Sequence, residues 1–201
     1  MRPALVVMIK QPRPGRVKTR LGRDMGMVSA AWWFRHQTDQ LLRRMRDPRW
    51  DLVLAVNPDR EGMASRVWPA DLPRLPQGPG DLGARMKRVF QALPHRPACI
   101  IGADIPGIRA CHISRAFAQL GQHDAVFGPA PDGGYWLVGV KHAGALPATL
   151  FRNIRWSSEH ALADSAASFG GRRIALVDTL EDVDTVTDLR NHRRAGGALC
   201  P

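Results

Sequence analysis

Short apolar runs and helical stretches alternate along this chain from one end to the other. ALVVMI, residues 4–9, is rich in β-branched residues and bounded by Pro3 and a basic segment, a pattern that predicts a buried strand. MVSAAWWFRHQTDQLLRRMR, residues 27–46, has apolar positions at helical spacing with no Pro or Gly, and Pro48 follows its end, so a helix is expected there. DLVLAV (51–56) predicts a second strand, NPD a turn, REGMASRVW (60–68) a short helix, and PADLPRLPQGPG (69–80) a Pro/Gly-rich connection. DLGARMKRVFQAL (81–93) is helical, with Leu82, Met86, Val89, Phe90 and Leu93 on one face. ACII (98–101) predicts a third strand, leading into GADIPG, and a helix follows near 112–120. Strands DAVFG (124–128) and YWLVGV (135–140) flank PAPDGG. A helix from Ser158 to Phe169, a strand RIALV (173–177) and a last helix near 185–194 complete the pattern.

Strands that read as continuous apolar runs, alternating with helices, predict an α/β fold: a mainly parallel mixed sheet covered by helices on both faces. At 201 residues the chain is expected to form a single domain, residues 1–201. In open sheets of this kind ligands bind beyond the carboxyl ends of the strands. The segments there are KQPRPGRVKTR, NPD, GADIPG, GPAPDGG and DTLEDVDT, and the unusual chemistry of the sequence is concentrated in them.

Composition narrows the picture little. A hydrophobic fraction of 44% and a charged fraction of 23% are ordinary for a soluble globular protein. There is no run long enough for a membrane span and no signal peptide at the start, so a cytoplasmic protein is expected. The cysteines, Cys99, Cys111 and Cys200, are widely spaced without CxxC; Cys99 reads as a small core residue, and the odd count argues against a disulfide framework and a zinc site. The net charge of +11 invites a non-catalytic nucleic-acid or phospholipid-surface binder. Against it, nearly all the cations are Arg, as a genome-wide bias would also produce, and aromatic stacking platforms are few. No specific nucleic-acid partner is expected.

Candidate chemistry changes the picture more. Between Lys10 and Arg20 stand five cations, Lys10, Arg13, Arg16, Lys18 and Arg20, threaded with Pro12, Pro14 and Gly15. The prolines stiffen this loop, Gly15 lets backbone approach an anion, and Arg and Lys supply charge for phosphate oxygens. It is not a Walker A loop, since its glycines are missing; a solvated basic turn is the plain alternative. Asp104 in GADIPG can hold a divalent metal or cap a helix. Asp132 precedes a Gly pair in a stretch that an ordinary hairpin turn would also use. In EDVDTVTD, Asp188 reads as a capping residue, while Asp184 or Asp182 can complete a metal site with Asp104. GxSxG, HExxH and GxGxxG are all absent, which leaves serine hydrolase, zinc peptidase and Rossmann dehydrogenase readings without support.

Six ordered blocks, KQPRPGRVKTRL (10–21), QGPGDLGARM (77–86), IGADIPGI (101–108), DAVFGPAPDGGYWLVGV (124–140), LFRNIRWSS (150–158) and DVDTVTDL (182–189), resemble a bacterial family of small GT-A-fold transferases. Its members are labelled glycosyltransferases or domain-of-unknown-function proteins within the nucleotide-diphospho-sugar transferase superfamily. A more distant similarity is to 2-phospho-lactate guanylyltransferase and the molybdenum-cofactor nucleotidyltransferases. The resemblance implies a GT-A-like three-layer α/β/α sandwich. It implies phosphate contacts from Lys10, Arg13, Lys18 and Arg20 on the Gly15-containing loop, and a nucleotide border of Gly80, Asp81 and Arg85. It also implies a metal, Mg²⁺ or Mn²⁺, at Asp104 and Asp184. Asp132, with Lys18, is the implied catalytic group, and Gly133, Gly134, Tyr135, Trp156 and Ser157 form the acceptor pocket. The expected activity is metal-dependent glycosyl transfer from a nucleotide sugar to a small-molecule acceptor. The alternative is a nucleotidyltransferase that consumes a nucleoside triphosphate and releases pyrophosphate.

Overall fold

The structure, a computed structural model, describes residues 1–194 and their side chains as far as His192. In chain order its elements are β1 (Ala4–Lys10), α1 (Thr19–Met25), α2 (Met27–Arg44), β2 (Asp51–Asn57), α3 (Asp59–Met63), β3 (Arg74–Pro76) and α4 (Leu82–Gln91). Then follow β4 (Ala98–Gly102), α5 (Ala110–Gln119), β5 (Ala125–Pro129), β6 (Tyr135–Val140), α6 (Ala161–Ala167), β7 (Ile174–Leu176) and α7 (Val186–Arg194).

The two-residue period of β1 explains why it reads as an unbroken apolar run. Leu5, Val7 and Ile9 enter a core with Phe34, Leu41 and Leu42 of α2 and Ile113 and Ala116 of α5. Ala4 and Val6 enter a second core with Met86, Val89 and Phe90 of α4, against which Leu162 and Ala166 of α6 pack. Both faces of the sheet are therefore covered, and the molecule is the expected α/β/α sandwich. The seven-stranded sheet has the order β3-β2-β1-β4-β6-β5-β7.

β6 runs antiparallel to both β4 and β5, and the other neighbouring strands are parallel. Its reversal follows from its connection. Residues 130–134 turn as a hairpin, with the Ala130 amide donating to the Gly134 carbonyl at 3.0 Å and the Gly133 amide to the Ala130 carbonyl at 3.1 Å. A parallel return would need a crossover of about a dozen residues. The inverted strand brings Tyr135, at its start, to the same sheet edge as the carboxyl ends of β1, β4 and β5.

The helix expected over 60–68 is the shorter Asp59–Met63, that expected from Ser158 to Phe169 is Ala161–Ala167, and two short elements are added. The basic segment ends in a helix, α1, and the 69–80 connection contains β3, a three-residue edge strand parallel to β2. Pro76 ends β3, and proline is tolerated at a sheet edge. Arg74 orders the rest of that connection by donating to the carbonyls of Gly62, Met63, Ser65, Trp68 and Pro69. Cys99 is buried in the core as expected, and burial pushes its thiol pKa well up. Cys111 is disulfide-bonded, which corrects the expectation from the odd count, since an odd count leaves room for a single bond.

Candidate functional site

Beyond the carboxyl end of β1 the chain turns through the basic segment and back into α1, forming one wall of a cleft of about 680 Å³. Lys10, Arg16, Lys18 and Arg20 line it, facing Gly80, Asp81 and Arg85 at the start of α4. Asp104 and Asp184 stand on its floor side. The loop is braced: the Gln11 amide donates to the Asn57 carbonyl at 2.8 Å, and Arg13 pairs with Glu61 at 3.0 Å. That pairing turns Arg13 into an adjoining 130 Å³ recess shared with Lys10 and Arg16, so Arg13 stands beside the main cleft. Gly15 has the left-handed φ of +73° that glycine tolerates, is exposed, and borders neither space.

Lys18, expected as a phosphate contact, stands between two carboxylates of the cleft. Its side chain is 5% exposed, and its Nζ donates to Asp104 Oδ2 at 2.9 Å and to Asp184 Oδ1 at 2.5 Å. Burial lowers its pKa, but the charges and hydrogen bonds of the two carboxylates outweigh that and raise it, so the ammonium is held charged. Its backbone is left-handed at φ 46°, a conformation costing a non-glycine residue about 1 kcal/mol or more. Arg20 reaches Asp184 from the rim at 3.3 Å.

The three carboxylates Asp104, Asp182 and Asp184 each offer an oxygen within 4.8 Å of the others. Their convergence is tertiary. The chain after β7 continues beside β5, the Val177 amide donating to the Phe127 carbonyl at 2.9 Å and the Leu180 amide to the Pro129 carbonyl at 3.1 Å. It then meets the loop after β4, where the Val183 amide donates to the Asp104 carbonyl at 3.3 Å. Val183 itself is buried with Leu21, Ala30 and Leu189, which pins Asp182 and Asp184 on either side of it. The sequence offers Asp182 as an alternative to Asp184; the structure brings both to Asp104. The Asp182 carboxyl is pushed up to about 6 by burial and then by the charge of Asp184, against the opposing pull of Lys18, with smaller contributions from Asp104 and Asp132. Asp188 caps α7, as its position suggested: it accepts from the amides of Asp184 and Thr185 at 3.1 and 2.7 Å.

A second hollow of about 240 Å³ adjoins the cleft across Leu82, Gly102 and Asp104. Asp132, Gly134, Tyr135, Trp156 and Ser157 all line it, together with Trp136, Ser158 and Asp182. Gly133, the remaining expected member, works from behind: at φ +83° it lies so close to residue 159 that a Cβ would come within 2.3 Å of the Glu159 carbonyl oxygen. Trp156 is held by Asp81, which accepts its Nε1–H at 3.3 Å while also capping α4 through the Ala84 amide at 2.8 Å. Leu82 departs from its expected core face; it is 45% exposed because the first turn of α4 stands at the cleft. Sequence reasoning missed Gln77, buried at the cleft with its amide donating to the carbonyls of Ile9 and Ala55. The signal was the strand β3 just before it, hidden in a proline-rich run.

A family of bacterial proteins described as "uncharacterized protein conserved in bacteria" (DUF2064) matches residues 40–158. The chain belongs to this family. The matched stretch contains Asp81, Asp104 and Asp132 but neither the basic loop nor Asp182 and Asp184. Among curated proteins, none matches the sequence. A Desulfovibrio desulfuricans G20 structure described as a "putative nucleotide-diphospho-sugar transferase" is similar with a TM-score of 0.87 and 29% identity, over 97% of this chain and 88% of that one. The fold alone is shared with two more distant structures. One is the 4-diphosphocytidyl-2C-methyl-D-erythritol synthase of Anaerococcus prevotii (TM-score 0.63, 9% identity, 96% and 95% of the chains). The other is a Mycobacterium tuberculosis H37Rv protein solved with manganese (TM-score 0.55, 14% identity, 95% and 97% of the chains).

Proposed function

We propose that this protein is a metal-dependent transferase that takes a nucleotide-activated donor, with a nucleotide sugar as the donor and a small molecule as the acceptor. The single observation carrying this reading is the meeting of the cationic loop and the Asp104–Asp182–Asp184 cluster on one cleft. The similarity to a structure described as a nucleotide-diphospho-sugar transferase supports the same class of chemistry.

The donor set suits a hard divalent cation such as Mg²⁺ or Mn²⁺: three carboxylates, with oxygens close enough together to share one ion. Asp104 and Asp184, with Asp182 beside them, would hold such a cation, which would supply positive charge for the diphosphate oxygens. Lys18, whose Nζ stands between Asp104 and Asp184, would give up that place to the cation and be free to serve the phosphates. Lys10, Arg16 and Arg20 bind the same diphosphate and stabilise the negative charge that grows on it as the glycosyl bond breaks. Asp132, in the adjoining hollow, orients the acceptor hydroxyl and takes its proton as oxygen attacks the anomeric carbon.

A melting-temperature screen of nucleotides and nucleotide sugars with and without Mn²⁺ tests this reading. A diphosphate ligand at about a hundred times its Kd stabilises the fold by about 2.7 kcal/mol. Dependence of that shift on Mn²⁺ is expected, and no shift with any nucleotide would sink the proposal. The fold shared with a structure described as a 4-diphosphocytidyl-2C-methyl-D-erythritol synthase supports a second reading, nucleotidyl transfer from a nucleoside triphosphate in the same cleft. Release of pyrophosphate rather than nucleoside diphosphate during turnover identifies it.

A further inference from the structure

The two adjoining spaces differ sharply in charge. The cleft is lined by five basic side chains, Lys10, Arg16, Lys18, Arg20 and Arg85, against three carboxylates, Asp81, Asp104 and Asp184. The hollow is lined by Asp104, Asp132 and Asp182, with no Lys, Arg or His among its described lining residues. The nearest basic groups in sequence are turned to other work: Arg155 is held by both oxygens of Asp164, at 2.9 and 2.8 Å, and His160 stands beside Glu159.

The aromatic wall carries a second message. Tyr135 places its hydroxyl against Ser165 at 3.2 Å, Trp136 donates its Nε1–H to the Asp178 carbonyl at 2.8 Å, and Trp156 donates to Asp81. Each polar handle is engaged by the protein, so what the three rings bring to the hollow is carbon surface. The side-chain polar groups left for a ligand among the described lining residues are carboxylate oxygens and the Ser157 hydroxyl. Asp132 uses Oδ1 to accept the Gly134 amide at 2.9 Å, which fixes the carboxylate with its other oxygen open.

We infer that the hollow selects a hydroxyl-rich acceptor, sugar-like in having one apolar face, that bears neither phosphate nor carboxylate. This deepens the transferase reading and rests on it. Carboxylates accept hydrogen bonds from hydroxyls, and aromatic carbon covers the C–H face of a ring. An anionic group in the same place meets the Asp132 carboxylate, with no Lys, Arg or His among the described lining residues to offset it. A cation held by Asp104, Asp182 and Asp184 would offset those three carboxylates and leave Asp132 uncompensated. The electrostatics thus sort the reactants: the diphosphate goes to the cationic cleft, and the uncharged partner goes to the acidic hollow.

Saturation-transfer NMR on the full chain tests this, with Mg²⁺ and pyrophosphate present throughout to fill the cleft. The probes are the methyl α-glycosides of glucose, galactose and mannose, glucosamine, and glucose 6-phosphate. At least one neutral glycoside or glucosamine is expected to bind, with glucose 6-phosphate about tenfold weaker. Trp156→Ala should abolish that binding, and Asp132→Lys should narrow or invert the preference. Equal or tighter binding of glucose 6-phosphate would overturn the inference, as would no binding by any uncharged or amino sugar, or binding that Trp156→Ala leaves untouched. Nucleotide and Mn²⁺ binding, read separately by melting temperature, report on the cleft, so the parent reading and this one can fail independently.

Discussion

Asp104 carries the heaviest demand of any single residue. It belongs to both spaces, accepts from Lys18 and is within reach of Asp182 and Asp184. Asp104→Asn keeps the shape and removes the charge; turnover should fall by about two orders of magnitude or more, with the Mn²⁺-dependent melting shift lost and the fold intact by circular dichroism. Lys18 is the converse case. Removing it as Lys18→Met takes the ammonium from both carboxylates and leaves Asp184 to Arg20 at 3.3 Å. Because those carboxylates are about a third exposed, the loss should be on the order of 2 kcal/mol, between the values for surface and buried pairs. Urea unfolding with and without Mn²⁺ checks this: the ion should recover most of the loss, and a deficit indifferent to Mn²⁺ would contradict a shared cation position. At His112 the prediction is one of pH. Its Nδ1 accepts the Arg109 amide at 3.2 Å, and burial, reinforced by Arg115 and Arg109 against an opposing pull from Asp178, lowers its pKa below 6.5. A proton therefore binds the unfolded chain first. This contribution to stability is level above pH 6.5, declines as pH falls below it, and levels again below the folded-state pKa. Denaturation midpoints from pH 8 to 5 should show that decline flattened in His112→Gln.

At the scale of elements, α4 joins the two halves of the site. Its cap, Asp81, also accepts from Trp156, and Gly83 lies so close to the 151–156 segment that a Cβ would meet Phe151 Cβ at 2.6 Å and its carbonyl oxygen at 2.8 Å. Asp81→Ala should cost about 1 kcal/mol as a lost helix cap, and Gly83→Ala more, since the backbone of Phe151 must move. Both changes should also loosen Trp156, seen as a red-shifted emission relative to the parent protein; an unchanged spectrum in both would mean that Trp156 is held by other contacts. The helix at 82–91 was legible in advance from Met86, Val89 and Phe90, all buried. Leu82 was misassigned because periodicity ranks residues by hydrophobicity and cannot tell a core from the wall of a cleft. β3 and α1 escaped detection for another reason. A three-residue edge strand and a seven-residue helix are too short for their periods to show, and their neighbours in space stabilise them.

At the scale of the whole molecule, Lys and Arg exceed Asp and Glu by 11, and no ion pair changes that excess. Some of the cations line the cleft, and others are fixed in the fold: Arg46 with Asp71, Arg49 with Asp47, Arg96 with Asp51, Arg155 with Asp164, and Arg74 on five carbonyls. If the cleft is the anion site, non-specific DNA binding in a low-salt filter assay should be competed by a nucleoside diphosphate with Mn²⁺. A steep salt dependence spanning many released counterions would instead support a nucleic-acid surface. Among the described residues, no helix is long and apolar enough to cross a membrane.

The residues alone determined the alternation of strands and helices, the three-layer class and the location of chemistry after the strands, because burial imposes a period that neighbouring positions record. They also marked the basic loop, Asp104 and Asp132 as the places to look. Only tertiary structure decided which carboxylates meet. Asp182 and Asp184 are nearly 80 residues from Asp104 and reach it because the chain after β7 crosses the end of the sheet and buries Val183. It likewise decided that Lys18 sits between acids rather than beside open solvent, and that cations gather on one side of Asp104 and aromatic rings on the other. Such a meeting of distant side chains is set by strand order and packing, which no local pattern of hydrophobic and polar positions encodes.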